Sequence, residues 1–277
     1  MKIRIITMED PLYTLDFIRD IVRARHRDIS GITIARGGRM TISSKKSHLV
    51  YLAALILIMG PVFFVQNTFK TLRYAIHKKA SRLLSVIPSP GIESEASLYG
   101  IPVDYTSDPN SEEYIRKVKE EKPDVIINQS QSIIKKPLLD TSRIGMVNRH
   151  NALLPRNRGR LTPFWVLYKG EHETGVSIHL LDEGIDSGPL LVQKRFPVSS
   201  QDTFRSIVEK NYSLASVAML EALEMLENGS YSFLEKDSGE GSYNTIPTLK
   251  EAWEFRKSRI RQGFSWQKVR KNRSVQP

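Results

Sequence analysis

The chain has 277 residues, 40% of them hydrophobic and 26% charged, which is the balance of a globular protein and excludes a disordered chain. This length is sufficient for one large domain with an extension. Cysteine is absent, so disulfides, thiolate metal sites and a cysteine nucleophile are excluded. The net charge of +11 favours anionic partners such as nucleotide sugars, RNA or an anionic membrane surface, although a basic surface that only faces solvent would have the same charge.

Strands and helices alternate at the start of the chain. Lys2–Met8 predicts a buried strand, the run from Pro11 to Arg27 predicts a helix with apolar residues close to helical spacing, and Ile29–Ala35 predicts a second strand. Strand, helix and strand in this order indicate the beginning of a parallel sheet. The run Arg36–Arg39 contains two glycines but lacks the spacing of a phosphate-binding loop, so it predicts a turn.

An insertion over about residues 46–86 is the most unusual part of the sequence. Residues 49–65 are almost all apolar, Gly60-Pro61 interrupts them, and a basic, partly amphipathic run follows at residues 69–79. A membrane-spanning helix needs about 20 apolar residues, and Gly-Pro would break this one. Three interpretations remain open: a helical hairpin packed on the sheet, a helix pair in the interface of a membrane with its lysines at the headgroups, and a contact between two copies of the chain.

The alternation continues after the insertion. Glu93–Tyr99 predicts a short helix, and Gly100–Val103 leads into an edge strand. Ser111–Glu121 predicts a charged helix with Ser111 as its cap. Asp124–Asn128 is a short apolar run that predicts a central strand buried on both faces.

Polar side chains then follow an apolar run, Gly145–Val147, at the carboxyl end of a predicted strand. Alternation places Asn148 and His150 on one face and directs Arg149 away from them. In an open α/β sheet, ligands bind at the carboxyl ends of strands. Together with Asp186 downstream, an amide and an imidazole at such an end suit acyl transfer. The amide donates to a developing oxyanion, the imidazole transfers the proton, and the carboxylate orients the imidazole.

The remainder of the chain predicts three more large elements and a smaller carboxy-terminal part. The large elements, a helix, a pair of strands and a long helix, are Leu161–Lys169, Val176–Leu181 with Leu190–Val198, and Asp202–Asn228. After Gly229 the elements are a short strand, a turn and a charged helix, at Tyr231–Leu234, Gly239–Ser242 and Leu249–Ile260.

Three blocks in this order resemble the folate-dependent formyltransferases. They are Asn148-x-His150 followed by Leu154-Pro155 and Arg158-Gly159, then Glu173-Thr174-Gly175-Val176, then Asp182 to Gly188. That family includes glycinamide ribonucleotide formyltransferase, methionyl-tRNA formyltransferase and the sugar N-formyltransferases. The resemblance implies a Rossmann-like α/β fold with a mostly parallel sheet and helices on both faces. It also implies transfer of a formyl group from N10-formyltetrahydrofolate to a primary amine.

The same resemblance implies the roles of individual residues. Asn148, His150 and Asp186 would be catalytic. The folate co-substrate would be held by residues after the central strand and in the later loop, namely Ser132, Ile134, Leu181, Asp182, Glu183, Gly184 and Ile185. Arginines around the mouth would bind an anionic acceptor, although a solvated basic loop would explain them equally well; they are Arg149, Arg156, Arg158 and Arg160. No metal is expected, since the six histidines show no ligand spacing.

The resemblance also bears on the domains. It predicts a formyltransferase catalytic domain at residues 1–229, a strand–helix extension at 230–265 and a disordered basic tail at 266–277. Methionyl-tRNA formyltransferases carry a larger carboxy-terminal barrel, and the 48 residues after Gly229 are too few for one.

The family resemblance and the short carboxy-terminal part lead to expectations about the acceptor and the cellular location. The expected acceptor is an amino sugar on a nucleotide or lipid carrier, and nucleic acid is not expected as a partner. A methionyl-tRNA formyltransferase, a formyl-folate hydrolase and an inactive basic scaffold remain alternatives. Residues 1–7 are too short for a signal peptide, and we expect a cytoplasmic location with peripheral contact to the inner membrane surface as the alternative.

Overall fold

The computed structural model describes residues 1–36, 45–84, 86–235 and 241–260. The predicted turn at Gly37-Gly38 and the basic tail at 266–277 lie outside these ranges. In chain order the elements are β1 (Ile3–Thr7), α1 (Thr14–Arg25), β2 (Ile29–Ala35), α2 (Lys45–Met59), α3 (Pro61–Leu83), α4 (Ile92–Ser97), β3 (Val103–Thr106), α5 (Glu112–Glu121), β4 (Val125–Gln129), α6 (Lys136–Leu139), β5 (Gly145–His150), β6 (Arg158–Gly159), α7 (Thr162–Lys169), β7 (Glu173–Leu180), β8 (Leu190–Pro197), α8 (Phe204–Glu227), β9 (Tyr243–Asn244) and α9 (residues 249–260).

The main sheet has seven strands in the order β3-β2-β1-β4-β5-β7-β8. The five strands from β3 to β5 pair in parallel, whereas β7 lies antiparallel to both β5 and β8. Helices cover both faces, with α1, α4 and α8 on one and α5 and α6 on the other. The predicted fold class, a mostly parallel Rossmann-like sheet between helices, is therefore confirmed. A second, two-stranded sheet joins β6 to β9 in parallel.

The alternation of side chains along β5 determines what reaches the edge of the sheet. Val147 packs in the core under α1, α4 and α8, and Met146 packs in the opposite core with α5 and α6. Continued to the end of the strand, this alternation places Asn148 and His150 on the Met146 side and Arg149 on the Val147 side. The contacts described below agree with this assignment.

The inserted segment forms two helices that meet at a sharp bend. Gly60 has a φ of 81°, a conformation that favours glycine, and Pro61 then begins α3. Ala54, Ile58 and Phe63 pack with side chains of α7, α8 and α9, and Phe196 at the end of β8 joins the same cluster, so the segment rests mainly on helices beside the edge of the sheet. No single described helix is long and apolar enough to cross a membrane; α2 and α3 meet that test only as a pair, bent by 116°.

The first helix begins later than its pattern predicts, at Thr14 and not at Pro11. Asp10 caps the turn that precedes the helix, since its carboxylate accepts the backbone N–H groups of Leu12 and Thr14 at 3.0 and 3.2 Å. Such a side chain satisfies backbone donors that have no partner at the start of a helix.

The predicted strand at Tyr231–Leu234 is wrong. Only Leu234 pairs, through a single bridge to Leu190 at the start of β8. Tyr231 and Phe233 contact each other, with ring centroids 5.6 Å apart, and both remain exposed. The segment therefore lacks the burial against neighbouring side chains that favours a strand.

Candidate active site

A cavity of about 740 Å³ opens at the carboxyl ends of β4 and β5. Its volume lies in the range of about 300–1,000 Å³ that is typical of small-molecule sites. Asn148 and Asp186 line the cavity, and His150 is buried beside Asp186. The three residues predicted to be catalytic therefore lie together, although Asp186 comes from the loop that connects β7 and β8.

The imidazole of His150 lies between two acceptors. Its Nε2 is 2.8 Å from the backbone oxygen of Asn157, and its Nδ1 is 3.4 Å from Oδ2 of Asp186. Because a carbonyl oxygen can only accept, Nε2 carries the proton that is donated to Asn157. Nδ1 is then the nitrogen that faces the carboxylate and can take up a proton.

The loop that carries Asn157 is held by the segment after α8. The backbone N–H of Asn157 donates to Oγ of Ser242 at 2.9 Å, and Nδ2 of Asn244 donates to Oδ1 of Asn157 at 2.8 Å. Gly159 allows the two segments to lie this close together, since a Cβ at that position would be 2.2 Å from the backbone oxygen of Asn244. The position of His150 thus depends on a carboxy-terminal segment that lies within the predicted extension.

The carboxylate of Asp186 accepts one backbone hydrogen bond and faces two imidazole rings. Its Oδ2 accepts the backbone N–H of Gly159 at 2.9 Å and faces His150, and its Oδ1 lies 3.6 Å from Nε2 of His179. Nδ1 of His179 is 2.9 Å from the backbone oxygen of Leu180, which fixes the ring with Nε2 toward the carboxylate. Asp186 has a φ of 49°, a strained conformation for a non-glycine residue and one that clusters at active sites.

The pKa values of His150 and Asp186 are both lowered, but for different reasons. Burial lowers the pKa of His150 below its usual value of 6.5, against the opposing effect of Asp186. Burial alone would raise the pKa of Asp186, but His179, His150 and the N–H of Gly159 together lower it to about 2. At neutral pH His150 is therefore a free base beside a carboxylate anion. Such a pair can accept one proton as an imidazolium–carboxylate pair, as general base catalysis requires.

The side chain of Asn148 is oriented by a chain of hydrogen bonds. Nε2 of Gln129 donates to Oδ1 of Asn148 at 2.9 Å and to the backbone oxygen of Asn128 at 2.7 Å. Oε1 of Gln129 accepts from Nε of Arg149 at 2.9 Å. Because Oδ1 of Asn148 is used as an acceptor, Nδ2 is the group that can donate to a molecule in the cavity.

Most residues predicted to hold folate line the cavity: Ser132, Ile134, Leu181, Asp182, Gly184 and Ile185. Glu183 is not among the lining residues and is exposed, so its contact with folate stays a prediction. Oγ of Ser132 is buried and has no hydrogen-bond partner among the described residues. Oδ1 of Asp182 accepts from Gly184 N at 3.0 Å and from Ser187 Oγ at 2.7 Å, which fixes the shape of the loop.

The predicted position of the arginines at the mouth is largely wrong. Arg149, Arg156 and Arg158 are absent from the cavity lining that the described residues form. Arg149 lies on the opposite side of the sheet and stacks on an aromatic ring of α8, 4.3 Å from the ring centroid. Arg156 forms an ion pair with Glu173 at 3.0 Å, and Arg158 lies in β6. Arg160 does line the cavity, as predicted.

The sequence analysis did not predict several residues of the site. Gln129 and His179 are polar residues at the carboxyl ends of buried strands, and that position is the signal that could have indicated them. His48 and Tyr51 of α2 also line the cavity. No local pattern indicates these two, because their place depends on how the inserted helices pack.

Comparisons with known proteins agree on a family. The formyl transferase family model matches residues 55–223. The methionyl-tRNA formyltransferase of Kosmotoga olearia is 34% identical over 167 residues, which cover 60% of this chain and 53% of that protein. The chain spans about half the length of the curated relatives it matches.

Solved structures share the fold at lower sequence identity. The N-formyltransferase from Helicobacter canadensis in complex with folinic acid and dTDP-3-aminofucose has a TM-score of 0.55 at 16% identity, covering 88% of this chain and 71% of that one. The phosphoribosylglycinamide formyltransferase from Anaplasma phagocytophilum has a TM-score of 0.57 at 14% identity, covering 89% of this chain and 99% of that one. Since the family match extends over more than half of the sequence, from α2 into α8, the chain belongs to the formyl transferase family.

Proposed function

We propose that the protein transfers a formyl group from N10-formyltetrahydrofolate to a primary amine. The observation that carries the proposal is the convergence of Asn148, His150 and Asp186 at one end of the sheet, with two of them in the wall of the cavity. An amide donor, a neutral base and a carboxylate are the groups that acyl transfer to an amine requires. Membership of the formyl transferase family supports the same reaction.

The residues around the cavity fit a folate. N10-formyltetrahydrofolate would supply the formyl group when bound. The hydroxyl of Ser132, which has no partner among the described residues, offers a hydrogen bond, and Ile133 and Ile185 are exposed apolar side chains in the cavity wall. A bound ring would cover these apolar surfaces while the Leu181–Ile185 loop held its polar edge, a combination typical of cofactor sites.

Each catalytic side chain would act on a different part of the reaction. Nδ2 of Asn148 would donate to the formyl oxygen as negative charge develops there, and removal of such a donor costs about 10²–10³-fold in rate. His150 would accept the proton released by the attacking amine as the new N–C bond forms. Asp186 would stabilise the resulting imidazolium and direct the proton to the departing nitrogen.

The finer proposal is that the amine belongs to an amino sugar on a nucleotide or lipid carrier. Arg160 lines the cavity and would attract an anionic carrier, while His48 would offer a hydrogen bond and Tyr51 an aromatic face. The cavity has the volume of a small-molecule site. In the Helicobacter canadensis protein, the bound acceptor is of this kind, a dTDP-linked amino sugar.

Methionyl-tRNA is a second candidate acceptor. The supporting observation is the 34% identity to a methionyl-tRNA formyltransferase. About half of that relative lies outside the match, so this similarity does not extend to the whole of that protein.

The proposal is tested by the release of tetrahydrofolate from N10-formyltetrahydrofolate. The purified chain is assayed with nucleotide-linked amino sugars, with methionyl-tRNA and without acceptor, and His150→Ala is assayed alongside. We expect release that requires one acceptor and is about 10²–10⁴-fold slower in the variant. Release without any acceptor would assign a formyl-folate hydrolase. Tight RNA binding that folate does not affect, with no turnover of any acceptor, would assign an inactive scaffold.

A further inference from the structure

One face of α3 carries an apolar stripe that the described residues do not cover. The stripe residues are spaced three, four, three, four and seven positions apart and so share one side of the helix. They are Val62, Val65, Phe69, Leu72, Ile76 and Leu83. Their exposure ranges from 56% for Leu72 to 75% for Leu83. The opposite side, with Phe63, Asn67 and Lys78, is the buried one, so the stripe faces away from the fold.

Cations flank this stripe, and no acidic residue occurs between positions 48 and 83. Lys78 is the α3 cation that pairs within the protein, where it is buried against two carboxylates. The other lysines and arginines of α3 are exposed and form no ion pair with a described residue. They are Lys70, Arg73, Lys79 and Arg82. An apolar face bordered by cations is the pattern of a helix that lies in a membrane interface.

We infer that α3 binds the surface of an anionic lipid bilayer, with the stripe in the acyl boundary and the four cations at the headgroups. The spacing of the stripe would also suit pairing with a second copy of the chain. In such a pair the cations of both copies would meet without an acidic residue on either helix to compensate them. Anionic headgroups compensate every one of these charges, so the charge pattern favours the bilayer.

The adjoining helix relates this surface to the cavity. His48 and Tyr51 of α2 line the cavity, and Leu49 and Leu52 in the same turns are exposed. The mouth of the cavity and an exposed apolar turn are thus parts of one helix that leads into α3. If the protein has the proposed function, a chain bound to the bilayer through α3 is suited to an amine acceptor carried on a lipid. This step rests on the proposed function.

Vesicle flotation of the full chain tests the inference. We expect flotation with vesicles of phosphatidylcholine and phosphatidylglycerol, weakened by salt, and no flotation with phosphatidylcholine alone. Phe69→Ser combined with Ile76→Ser should reduce the bound fraction at least tenfold, because two apolar side chains leave the interface. Lys70→Glu combined with Arg73→Glu should reduce binding by more than about fivefold for each charge removed.

Val217→Ser is the matched control, since Val217 is 55% exposed on α8 and lies outside the stripe. This variant should float like the wild type. Folate binding in solution should be unchanged in all variants, which separates lost flotation from lost folding. If the wild type floats but does not bind folate, the proposed function fails and the lipid surface stands.

Two results would overturn the inference. In the first, the wild-type chain stays at the bottom of the gradient with anionic vesicles, or the Phe69→Ser, Ile76→Ser variant floats as well as the wild type. In the second, the wild type is a dimer that the same double substitution dissociates, and it does not bind vesicles. That outcome would assign the stripe to a second copy of the chain.

Discussion

The orientation of the Asn148 amide can be tested by changing its neighbour Gln129. In the structure, Nε2 of Gln129 donates to Oδ1 of Asn148 at 2.9 Å, and Oε1 of Gln129 accepts from Arg149. Gln129→Glu keeps the shape of the side chain but replaces the donor with a carboxylate oxygen. We expect the Asn148 amide to turn over, so that Nδ2 donates to the new carboxylate and Oδ1 faces the cavity.

The size of the effect follows from the hydrogen bond that drives this rotation. A hydrogen bond to a charged group contributes about 1.5–3 kcal/mol, which favours the rotated amide by a factor of roughly 10–100. A rotated Asn148 presents an acceptor where a donor is needed, so kcat should fall by a similar factor with little change in KM. Gln129→Met removes the donor without adding an acceptor and should cost less than tenfold.

Steady-state kinetics on the single and double variants provides the assay. Once Asn148→Ala has removed the amide, Gln129→Glu should have almost no further effect, because both changes act on the same donor. Tyr212→Phe is a control that removes only the 3.1 Å bond from Arg149 to the Tyr212 hydroxyl and should leave kcat within about twofold. The reasoning is refuted if Gln129→Glu is as active as Gln129→Met, or if its effect is undiminished without the Asn148 amide.

Three further predictions concern the proton-transfer pair and its support. The acidic limb of kcat/KM should have an apparent pKa below 6.5, because burial lowers the pKa of His150; a limb above 6.5 would contradict this. The pKa of Asp186 is lowered from 3.8 to about 2, so its ionisation should add about 2 kcal/mol to the free energy of unfolding. This contribution is present above pH 3.8 and is lost as the pH falls toward 2. In urea unfolding, the Asp186→Asn variant should lack this pH-dependent part of the free energy of unfolding. A pH profile identical to that of the wild type would refute the prediction. Gly159→Ala should lower the stability by about 1–3 kcal/mol, since φ is 96° and a Cβ would lie 2.2 Å from the Asn244 oxygen; an unchanged Tm would disprove it.

Local periodicity was sufficient to predict which side chains share a face at the end of β5. The alternation on β5 correctly placed Asn148 and His150 on one side and Arg149 on the other, because this property depends only on neighbouring residues. The order of strands and helices likewise predicted a mostly parallel sheet. The same alternation explains why Arg149 does not line the cavity. A side chain that points away from His150 cannot also reach the cavity beside it.

Contacts between distant strands could not be predicted in this way. His179 reaches Asp186 because β7 runs antiparallel to β5 and pairs His179 with Asn148, a register that the sequence does not specify. Gln129 orients Asn148 only because β4 and β5 are neighbours. The cavity wall that α2 supplies depends on the packing of an insertion whose apolar residues point in all directions.

The dependence of His150 on Ser242 and Asn244 has a consequence for the way the protein is made. Asn157 and Asn244 are 87 residues apart in sequence, so the ribosome delivers the residues that hold the catalytic loop only after α8 has been synthesised. Domains generally fold as units while the chain is synthesised, so a domain is completed only when its last elements are available. Tyr243 and Ile246 of the same late segment also line the cavity, so the cavity wall and the loop that fixes the imidazole are both completed only then. Activity would then appear as a late event in synthesis, when β9 pairs with β6.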